Sequence, residues 1–358
     1  MLVFAATSRY LQGPGLLDDI GKHATVLGQR PVIVADADVV KLFGERLLRS
    51  FESVGHPAQM LVCPNEITLA SIEALKRQAR EFGADLVVGV GGGKSIDTAK
   101  GVARLLSTRF VSVPTIASND GPASAAVAIY DEHHALIEVQ QLVRNPDLVL
   151  VDTQAIVSAP LRFLRAGIGD AISKRFEAEA CERAQAATLF GGRPSGVGMA
   201  IARASYDVIR RHGAAALKAA EQREVTPDVE ALVEATVLLS TLAFENGGLS
   251  IAHAVARGLP MVPRAAGTLH GAHVAYGLLV QVMLEGRPDV LLDELAGCYA
   301  ELGLPTRLAD FGLDEPTAAE LNVLVDGAMG SPSVRRFERQ LTADDVAGAI
   351  AAVEQRFR

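Results

Sequence analysis

The sequence predicts an α/β domain followed by an all-helical domain, and three observations support this fold class. With 358 residues, the chain is too long for one ordinary hydrophobic core and suits two domains. Over about the first 150 residues, apolar β-branched runs alternate with helical patterns, as they do in parallel α/β units. Beyond that point almost only helical periodicity remains. We therefore expect an α/β domain over residues 1–158 and a helical domain over residues 159–358.

Five apolar runs are typical of strands that are buried on both faces of a parallel sheet. They are PVIVAD at 31–36, AQMLVC at 58–63, DLVVGV at 85–90, FVSVP at 110–114 and DLVLVD at 147–152. The segment MLVFAATSRYLQGPG has an apolar start but no basic region, so we interpret it as a first strand and not as a signal peptide. Helical patterns cover residues 39–54, 69–82, 95–106, 160–183, 196–212, 227–245, 286–302 and 343–357.

The composition excludes several classes of protein. Hydrophobic residues make up 49% of the chain and charged residues 21%, which is an ordinary globular balance. No apolar run approaches the ~20 residues that span a bilayer, so no membrane partner is expected. A net charge of −8 without a basic cluster argues against a nucleic-acid partner. The widely spaced cysteines Cys63, Cys181 and Cys298 argue against a disulfide framework and favour a reducing, cytoplasmic setting.

The segment DLVVGVGGGKSIDTAKG predicts a strand, a glycine-rich turn and a helix. A helix N-terminus attracts phosphate, and four glycines exceed what a turn without a ligand requires. These glycines are Gly89, Gly91, Gly92 and Gly93. The turn is not a Walker A loop, because Val88 stands where the first glycine is needed, and Lys94 breaks the G-x-G-x-x-G pattern. Asp36, after PVIVAD, fits two roles equally well: it could bind a ribose hydroxyl or cap the next helix.

Asp170, His253 and His270 are the candidate metal ligands. Asp170 lies in the apolar, glycine-rich segment RAGIGDAIS, where a carboxylate is costly unless it is paired or coordinated. His253 lies in a small-residue helix, and His270 lies at a junction between a loop and a helix. One carboxylate and two imidazoles suit a divalent metal with an open coordination position. The alternatives are a helix N-cap at Asp170 and histidines that are satisfied in the core.

Six ordered segments resemble the glycerol dehydrogenase family, within the iron- or zinc-dependent alcohol dehydrogenases. They are GVGGGKSIDTAK, VPTIASNDGPASA, RNPDLVLVDT, AGIGDAISKRFEA, FENGGLSIAHAV and LHGAHVAYG. The resemblance implies an NAD-linked oxidation of a small polyol or secondary alcohol to the ketone. It also implies the dehydroquinate synthase-like architecture, in which an N-terminal α/β nucleotide-binding domain and a C-terminal helical domain enclose the metal and the substrate. We further expect a homo-oligomer.

The same resemblance assigns roles to individual residues. Asp170, His253 and His270 fall on the metal-ligand positions, and Asp120 falls on a position that contacts the polyol. The positions that contact NAD are Asp36, Gly92, Gly93, Lys94, Asp97, Thr115, Ser118, Ser124, Ala126 and Tyr130. A carboxylate at position 36 favours NAD over NADP, because it would repel a 2′-phosphate.

Three departures from the family pattern surround the expected metal site. Ala272 and His273 replace the usual Glu-Lys pair after His270, and Arg257 stands where glycerol enzymes often carry a histidine. Lys174 occupies the place of a fourth ligand, a histidine, in the iron-dependent relatives. A site with three protein ligands favours Zn²⁺ over Fe²⁺. We expect Arg257 to point outward, because an unpaired cation beside a metal is electrostatically poor, and we expect a small neutral diol as substrate.

Several alternatives keep the fold and change the activity. Positive charge at Lys174 and Arg257 would suit a hydroxy acid or a phosphorylated polyol. The pattern DGPAS at 120–124 also resembles glycerol-1-phosphate dehydrogenases, and the cyclising synthases related to dehydroquinate synthase are more distant. A catalytically silent NAD-binding sensor is the alternative from another class of protein.

Overall fold

The computed structural model of the protein describes residues 1–64, 67–130 and 136–358, without the side chains of Tyr130 and Leu136. The chain divides into two compact units. A helical unit comprises Met1–Ala5, Leu161–Lys218 and Ala231–Arg358, and an α/β unit comprises Ala6–Pro160 and Ala219–Glu230. A parallel sheet with helices and a separate helical unit confirm the predicted fold class.

The α/β unit is built on a six-stranded parallel sheet with the order β1-β8-β5-β4-β2-β3. Its strands are β1 Tyr10–Gly13, β2 Pro31–Ala35, β3 Gln59–Val62, β4 Leu86–Gly91, β5 Arg109–Pro114 and β8 Leu148–Asp152. The five predicted apolar runs all form strands of this sheet. The segment MLVFAATSRYLQGPG, interpreted as a first strand, contains β1 at Tyr10–Gly13, whereas its apolar start lies outside that strand and Leu2 forms a bridge to Arg193 in the helical unit.

Alternate side chains of these strands enter two separate apolar cores. Ile33, Val88 and Val111 pack on one face of the sheet against helix α2 (Ala37–Ser53). Val32, Val34 and Val87 pack on the other face against helices α3 (Leu69–Phe82) and α4 (Gly93–Leu106). Burial on both faces explains why the strand sequences are apolar throughout rather than alternating. Two shorter helices, α1 (Ile20–Ala24) and α5 (Thr153–Ser158), complete this unit.

A two-stranded antiparallel hairpin was not predicted from the sequence. It pairs β6 (Ala126–Tyr130) with β7 (Leu136–Gln141). Val127 and Ile129 are buried in the core on the α3–α4 side of the sheet. The hairpin therefore attaches the loop that follows β5 to the same face as the glycine-rich turn.

The sheet has a topological switch point between β2 and β4. From β2 the chain crosses to β3 on one side, and from β4 it crosses to β5 on the other side. Connections that leave in opposite directions open a crevice at the carboxyl ends of the strands, and ligands bind there in open α/β sheets. Because Ala35 pairs with Val90, the residues that follow them, Asp36 and Gly91, lie at the mouth of this crevice.

After Met1–Ala5, the helical unit continues at Leu161. The helices from there on are α6 Leu161–Ile172, α7 Lys174–Arg183, α8 Gly196–Glu221, α9 Pro227–Glu234, α10 Ser240–Gly247, α11 Ile251–Gly258, α12 His270–Leu284, α13 Asp289–Leu302, α14 Ala318–Met329 and α15 Ala343–Arg356. The end of α8 and the start of α9 belong to the α/β unit. Two expected single helices are interrupted, one at Ser173 and one by the π-helix Ala235–Leu239. Among the described residues, no helix combines the length and the apolar character that crossing a bilayer requires.

All three cysteines are free and buried. Burial raises the pKa of the Cys181 thiol to about 12, and it also raises the pKa values of Cys63 and Cys298. A thiol reacts through its thiolate, so a buried thiol of high pKa is inert. We therefore predict that the native protein leaves a thiol reagent such as DTNB almost unreacted near pH 8, whereas unfolding in guanidinium exposes three reactive thiols per chain. Rapid modification of one thiol in the native protein would contradict the burial of that cysteine.

Candidate nucleotide-binding and metal sites

The glycine-rich turn leads directly from β4 into helix α4. Gly91 has a φ of 138°, Gly92 is the N-cap residue, and Gly93 begins the helix. A Cβ atom added at Gly92 would lie 2.9 Å from Ile116 Cδ1, so a side chain there would displace the tip of Ile116. Glycines at the N-cap and at the first position of α4 place no side chain beside the first backbone N–H groups of the helix, and this arrangement suits phosphate binding.

Asp36 connects the ends of the two strands that flank the crevice. Its Oδ1 accepts a hydrogen bond from Val39 N at 2.9 Å, and its Oδ2 accepts one from Ser95 Oγ at 2.8 Å. The helix N-cap, one of the two roles considered for Asp36, is therefore present. The cap occupies one carboxylate oxygen, and the hydroxyl of Ser95 fixes the other at the start of α4.

Lys100 is a fully buried lysine that sequence reasoning missed. Its ammonium donates hydrogen bonds to Asp97 Oδ1 at 3.1 Å, to the carbonyl oxygens of Gly121 and Ala126 at 2.6 and 2.9 Å, and to Ser124 Oγ at 3.3 Å. The only signal in the sequence is the spacing of Asp97 and Lys100, which places them on one helix face. Lys100 therefore ties helix α4 to the loop that contains three of the predicted cofactor residues.

The other predicted cofactor residues lie around the same edge of the sheet. Lys94 is exposed on the first turn of α4, Thr115 is buried after β5, and Ser118 is half-buried in the loop that follows. Asp120 is buried and precedes the short 3-10 helix at 121–123. Tyr130 ends β6, and its side chain lies outside the described part of the chain.

In the helical unit, the structure brings Asp170, His253 and His270 together. Each offers one possible ligand atom, and these atoms all lie within 4.8 Å of one another. The two imidazole rings have centroids 5.4 Å apart. Asp170 is buried, His253 is mostly buried, and His270 is exposed, so solvent reaches the cluster at His270. A carboxylate and two imidazoles in this arrangement fit a divalent metal ion.

Close helix packing creates this cluster. A Cβ atom at Gly169 would overlap the backbone carbonyl of Gly271, and one at Gly271 would overlap the carbonyl of Ala166. The backbones of α6 and α12 therefore touch beside Asp170 and His270. Only glycine permits such contact, because any side chain would hold the two backbones apart.

Asp170 does not cap a helix, so the N-cap alternative for this residue is wrong. It lies near the end of α6, inside the helix. The glycines before it resemble a helix start in sequence, but they serve the contact with α12. Burial tends to raise the pKa of the Asp170 carboxyl, but the neighbouring Lys174, His253 and His270 outweigh it and hold the pKa well below its usual range.

Glu177 orients His253 and was also missed. Its Oε2 lies 2.7 Å from His253 Nδ1, and its Oε1 accepts hydrogen bonds from the backbone N–H groups of Ser250 and His253 at 2.8 and 3.1 Å. Ser173 Oγ also donates to Glu177 Oε2 at 2.9 Å. A carboxylate that holds Nδ1 leaves Nε2 facing the cluster, as in many metal-binding histidines. The spacing of seven residues between Asp170 and Glu177 was the available signal.

The two histidines of the cluster differ in charge. Burial lowers the pKa of His253, but the Glu177 and Asp170 carboxylates outweigh it and raise the value to about 9. His270 is surrounded by protein although solvent reaches it, and this desolvation, with the positive neighbours, lowers its pKa to about 4. His270 is therefore neutral near pH 7 and can offer a ring nitrogen, whereas His253 has to release a proton before it binds a metal.

Lys174 is buried at the metal cluster, whereas Arg257 lies at the surface. The fully buried ammonium of Lys174 contacts Asp170 Oδ1 and lies 3.4 Å from His253 Nε2. Arg257 is exposed and donates to the carbonyl oxygen of Gly330 at 3.1 Å. The expected outward orientation of Arg257 is therefore found, although its partner is a carbonyl and not a carboxylate. His273, another departure from the family pattern, is buried and bonded to Thr268.

Comparison with known proteins identifies the family. The model of the iron-containing alcohol dehydrogenase family matches residues 7–153. The chain is 39% identical to glycerol dehydrogenase of Thermotoga maritima, over 97% of this chain and 95% of that protein. It belongs to the glycerol dehydrogenase family. It is also 39% identical to glycolaldehyde reductase of Halobacterium salinarum, over 91% of this chain and 89% of that protein.

Solved structures agree with this assignment. The crystal structure of a probable glycerol dehydrogenase from Sinorhizobium meliloti superposes with a TM-score of 0.94 at 35% identity, and the match covers 99% of both chains. Glycerol dehydrogenase from Schizosaccharomyces pombe superposes with a TM-score of 0.95 at 32% identity, over 99% of this chain and 91% of that one. This member of the glycerol dehydrogenase family is an alcohol dehydrogenase, and the alternative of a catalytically silent sensor is not favoured.

The buried lysine of the α/β unit gives a prediction about stability. We expect Lys100→Met to lower the free energy of unfolding by about 3–5 kcal/mol, because it removes one partner of a buried ion pair. Urea denaturation measures this change. Lys76→Met is the control, because Lys76 pairs with Glu73 near the surface and its loss should cost less than about 1 kcal/mol. Equal midpoints for Lys100→Met and the parent would show that the hydrogen bonds of Lys100 contribute nothing to stability.

Proposed function

We propose that this protein oxidises a small neutral vicinal diol, such as glycerol or 1,2-propanediol, to the ketone with NAD and one divalent metal ion. The observation that carries the proposal is the cluster of Asp170, His253 and His270, whose ligand atoms lie within 4.8 Å of one another. In a member of a dehydrogenase family, such a cluster supports a catalytic metal centre rather than a structural one, because the described residues offer three ligands there, one fewer than a structural site.

Each residue at the cluster has a different role in the proposed reaction. When bound, a divalent ion would lower the pKa of the substrate hydroxyl and stabilise the negative charge on its oxygen, and NAD would accept the hydride. Asp170 supplies the negative charge that holds the ion, and Glu177 keeps Nε2 of His253 directed at the cluster. His270 stands on the solvent side, where the substrate oxygen can enter. Zn²⁺ is favoured over Fe²⁺, because Lys174 stands where a fourth ligand would be.

The α/β unit supplies the expected NAD site. The first turn of α4 would hold the pyrophosphate, with Gly92 and Gly93 allowing its close approach. Asp36 lies beside this turn, at the switch point, where a carboxylate selects a ribose hydroxyl over a 2′-phosphate. Lys100 keeps Asp97, Ser124 and Ala126 in place around the turn. Asp120 is proposed to accept a hydrogen bond from a substrate hydroxyl, which fits a neutral diol better than an acid.

The metal assignment is tested with His270→Ala. We expect this variant to lose bound metal and to reduce kcat/KM at least about a hundredfold, because the exposed ligand next to the substrate is gone. Metal per chain and NAD reduction are measured on metal-loaded protein with glycerol, 1,2-propanediol, hydroxy acids, polyol phosphates and glycolaldehyde. His273→Gln is the matched control, because His273 lies on the same helix but bonds to Thr268 outside the cluster. If His270→Ala retains both metal and activity, the proposed centre is wrong.

The choice of cofactor is tested with Asp36→Asn. Asparagine still caps helix α2 but carries no charge. The variant therefore separates the helix capping by Asp36 from the effect of its negative charge on the cofactor. We expect the ratio of kcat/KM for NADP to that for NAD to rise at least about tenfold, because the repulsion of the 2′-phosphate is removed. Asp38→Asn is the control, because Asp38 is exposed in the first turn of the same helix. Equal kcat/KM for both cofactors in the parent protein would exclude the proposed role of Asp36.

A further inference from the structure

Lys174 contacts the same atoms of Asp170 and His253 that would bind the metal. Its ammonium contacts Asp170 Oδ1 and lies 3.4 Å from His253 Nε2, the nitrogen that Glu177 leaves free for coordination. The side chain is fully buried, so the ammonium has no route to solvent without a change of rotamer. It also donates to the backbone carbonyl of Asp170 at 3.1 Å, which anchors it at the end of α6.

The Lys174 ammonium balances the charge of buried carboxylates. Two fully buried carboxylates, Asp170 and Glu177, lie within seven residues of each other, and the basic side chains facing them are Lys174, His253 and His270, of which His270 is neutral near pH 7. A buried carboxylate without a cation is strongly destabilising. Without a metal ion, Lys174 offsets the charge of Asp170. With a metal ion present, the same ammonium becomes a like charge beside it.

We propose that Lys174 is an internal counter-cation of the metal site, which stabilises the metal-free protein and weakens the binding of a divalent metal. This inference rests on the proposed metal centre. It makes Lys174 a residue that sets metal affinity through charge and through its hold on Asp170, and it does not make Lys174 a ligand. The metal of this protein should therefore exchange readily during dialysis.

The experiment removes the charge of Lys174 and measures metal binding directly. Lys174→Met and Lys174→Gln are stripped with a chelator, and the Kd for Zn²⁺ is measured by competition with a chromogenic chelator. We expect the Kd to fall at least about tenfold in both variants, because a like charge close to the ion is removed. Glutamine can still donate a hydrogen bond to Asp170, whereas methionine cannot. Comparison of the two variants therefore separates the effect of the charge from the effect of this hydrogen bond. Lys174→Gln also provides a variant that folds more readily.

Thermal unfolding gives a second readout that is independent of activity. We expect metal-free Lys174→Met to melt several degrees below the metal-free parent, and saturating Zn²⁺ to remove most of that difference. Lys100→Met is the matched control, since it makes the same change at a fully buried lysine in the α/β unit. It should lower the Tm with and without Zn²⁺ and leave the Kd for Zn²⁺ within about twofold.

The outcomes separate this inference from the proposed function. If the Lys174 variants bind Zn²⁺ no more tightly than a parent that does bind it, the counter-cation role is wrong and the metal centre stands. If neither the parent nor the variants bind Zn²⁺ or Co²⁺, the metal centre is wrong and the role of Lys174 fails with it. If only the variants bind Zn²⁺, the counter-cation role is supported, but the proposed metal-dependent activity of the parent protein is contradicted.

Discussion

The contact between the backbones of helices α6 and α12 is the constraint on which the helical unit depends. Gly169 and Gly271 leave no space for a side chain, and Gly277 brings the backbone of α12 equally close to Ala252 on α11. Helices normally pack with axes 8–10 Å apart because side chains separate them. At these glycines no side chain separates the two backbones. Three polar side chains from three helices can therefore converge at one point, beside the buried Lys174 and Glu177.

Each unit contains one fully buried lysine that is held by an aspartate on the preceding helical turn. Lys100 pairs with Asp97 in the α/β unit, and Lys174 pairs with Asp170 in the helical unit. Their remaining partners differ. Lys100 is surrounded by the Asp97 carboxylate and by carbonyl and hydroxyl oxygens of the loop after β5, whereas Lys174 faces a carboxylate and an imidazole that can also coordinate a metal. The same pair of residue types therefore holds a loop in the α/β unit and lies among candidate metal ligands in the helical unit.

The sequence predicted the parts of the fold where one physical factor dominates. The strands of the parallel sheet were found because burial on both faces leaves only apolar residues, as in PVIVA and LVLVD. The β6–β7 hairpin was missed because its strands mix polar and apolar residues and only one face enters the core. The interruption at Ser173 was missed because the residues on both sides favour a helix equally.

The candidate sites were predictable to a similar degree. The residues that form the metal cluster stood out because histidines and a carboxylate are unusual among small apolar residues. Glu177 and Lys100 did not stand out, since Glu and Lys on a helix are normally solvated, and only the folded structure reveals that both are buried. The helix predicted over 160–183 placed Asp170 inside a helix, and the N-cap alternative arose because glycine marks helix ends more often than it marks close packing.

The division of the chain into units has a consequence for the order in which they can be completed during synthesis. Glu230 belongs to the α/β unit, where its carboxylate accepts hydrogen bonds from Gln12 and Thr153, whereas Ala5 bonds to Asn246 in the helical unit. The α/β unit cannot finish folding on the ribosome when its last strand emerges, because two of its polar partners wait for a segment that is translated about 80 residues later. Residues 1–5 have to wait even longer, because Asn246, the partner of Ala5, is translated after Glu230. Neither unit is a contiguous module, and the nascent chain has to keep both ends of its first half available until most of the second half has been made.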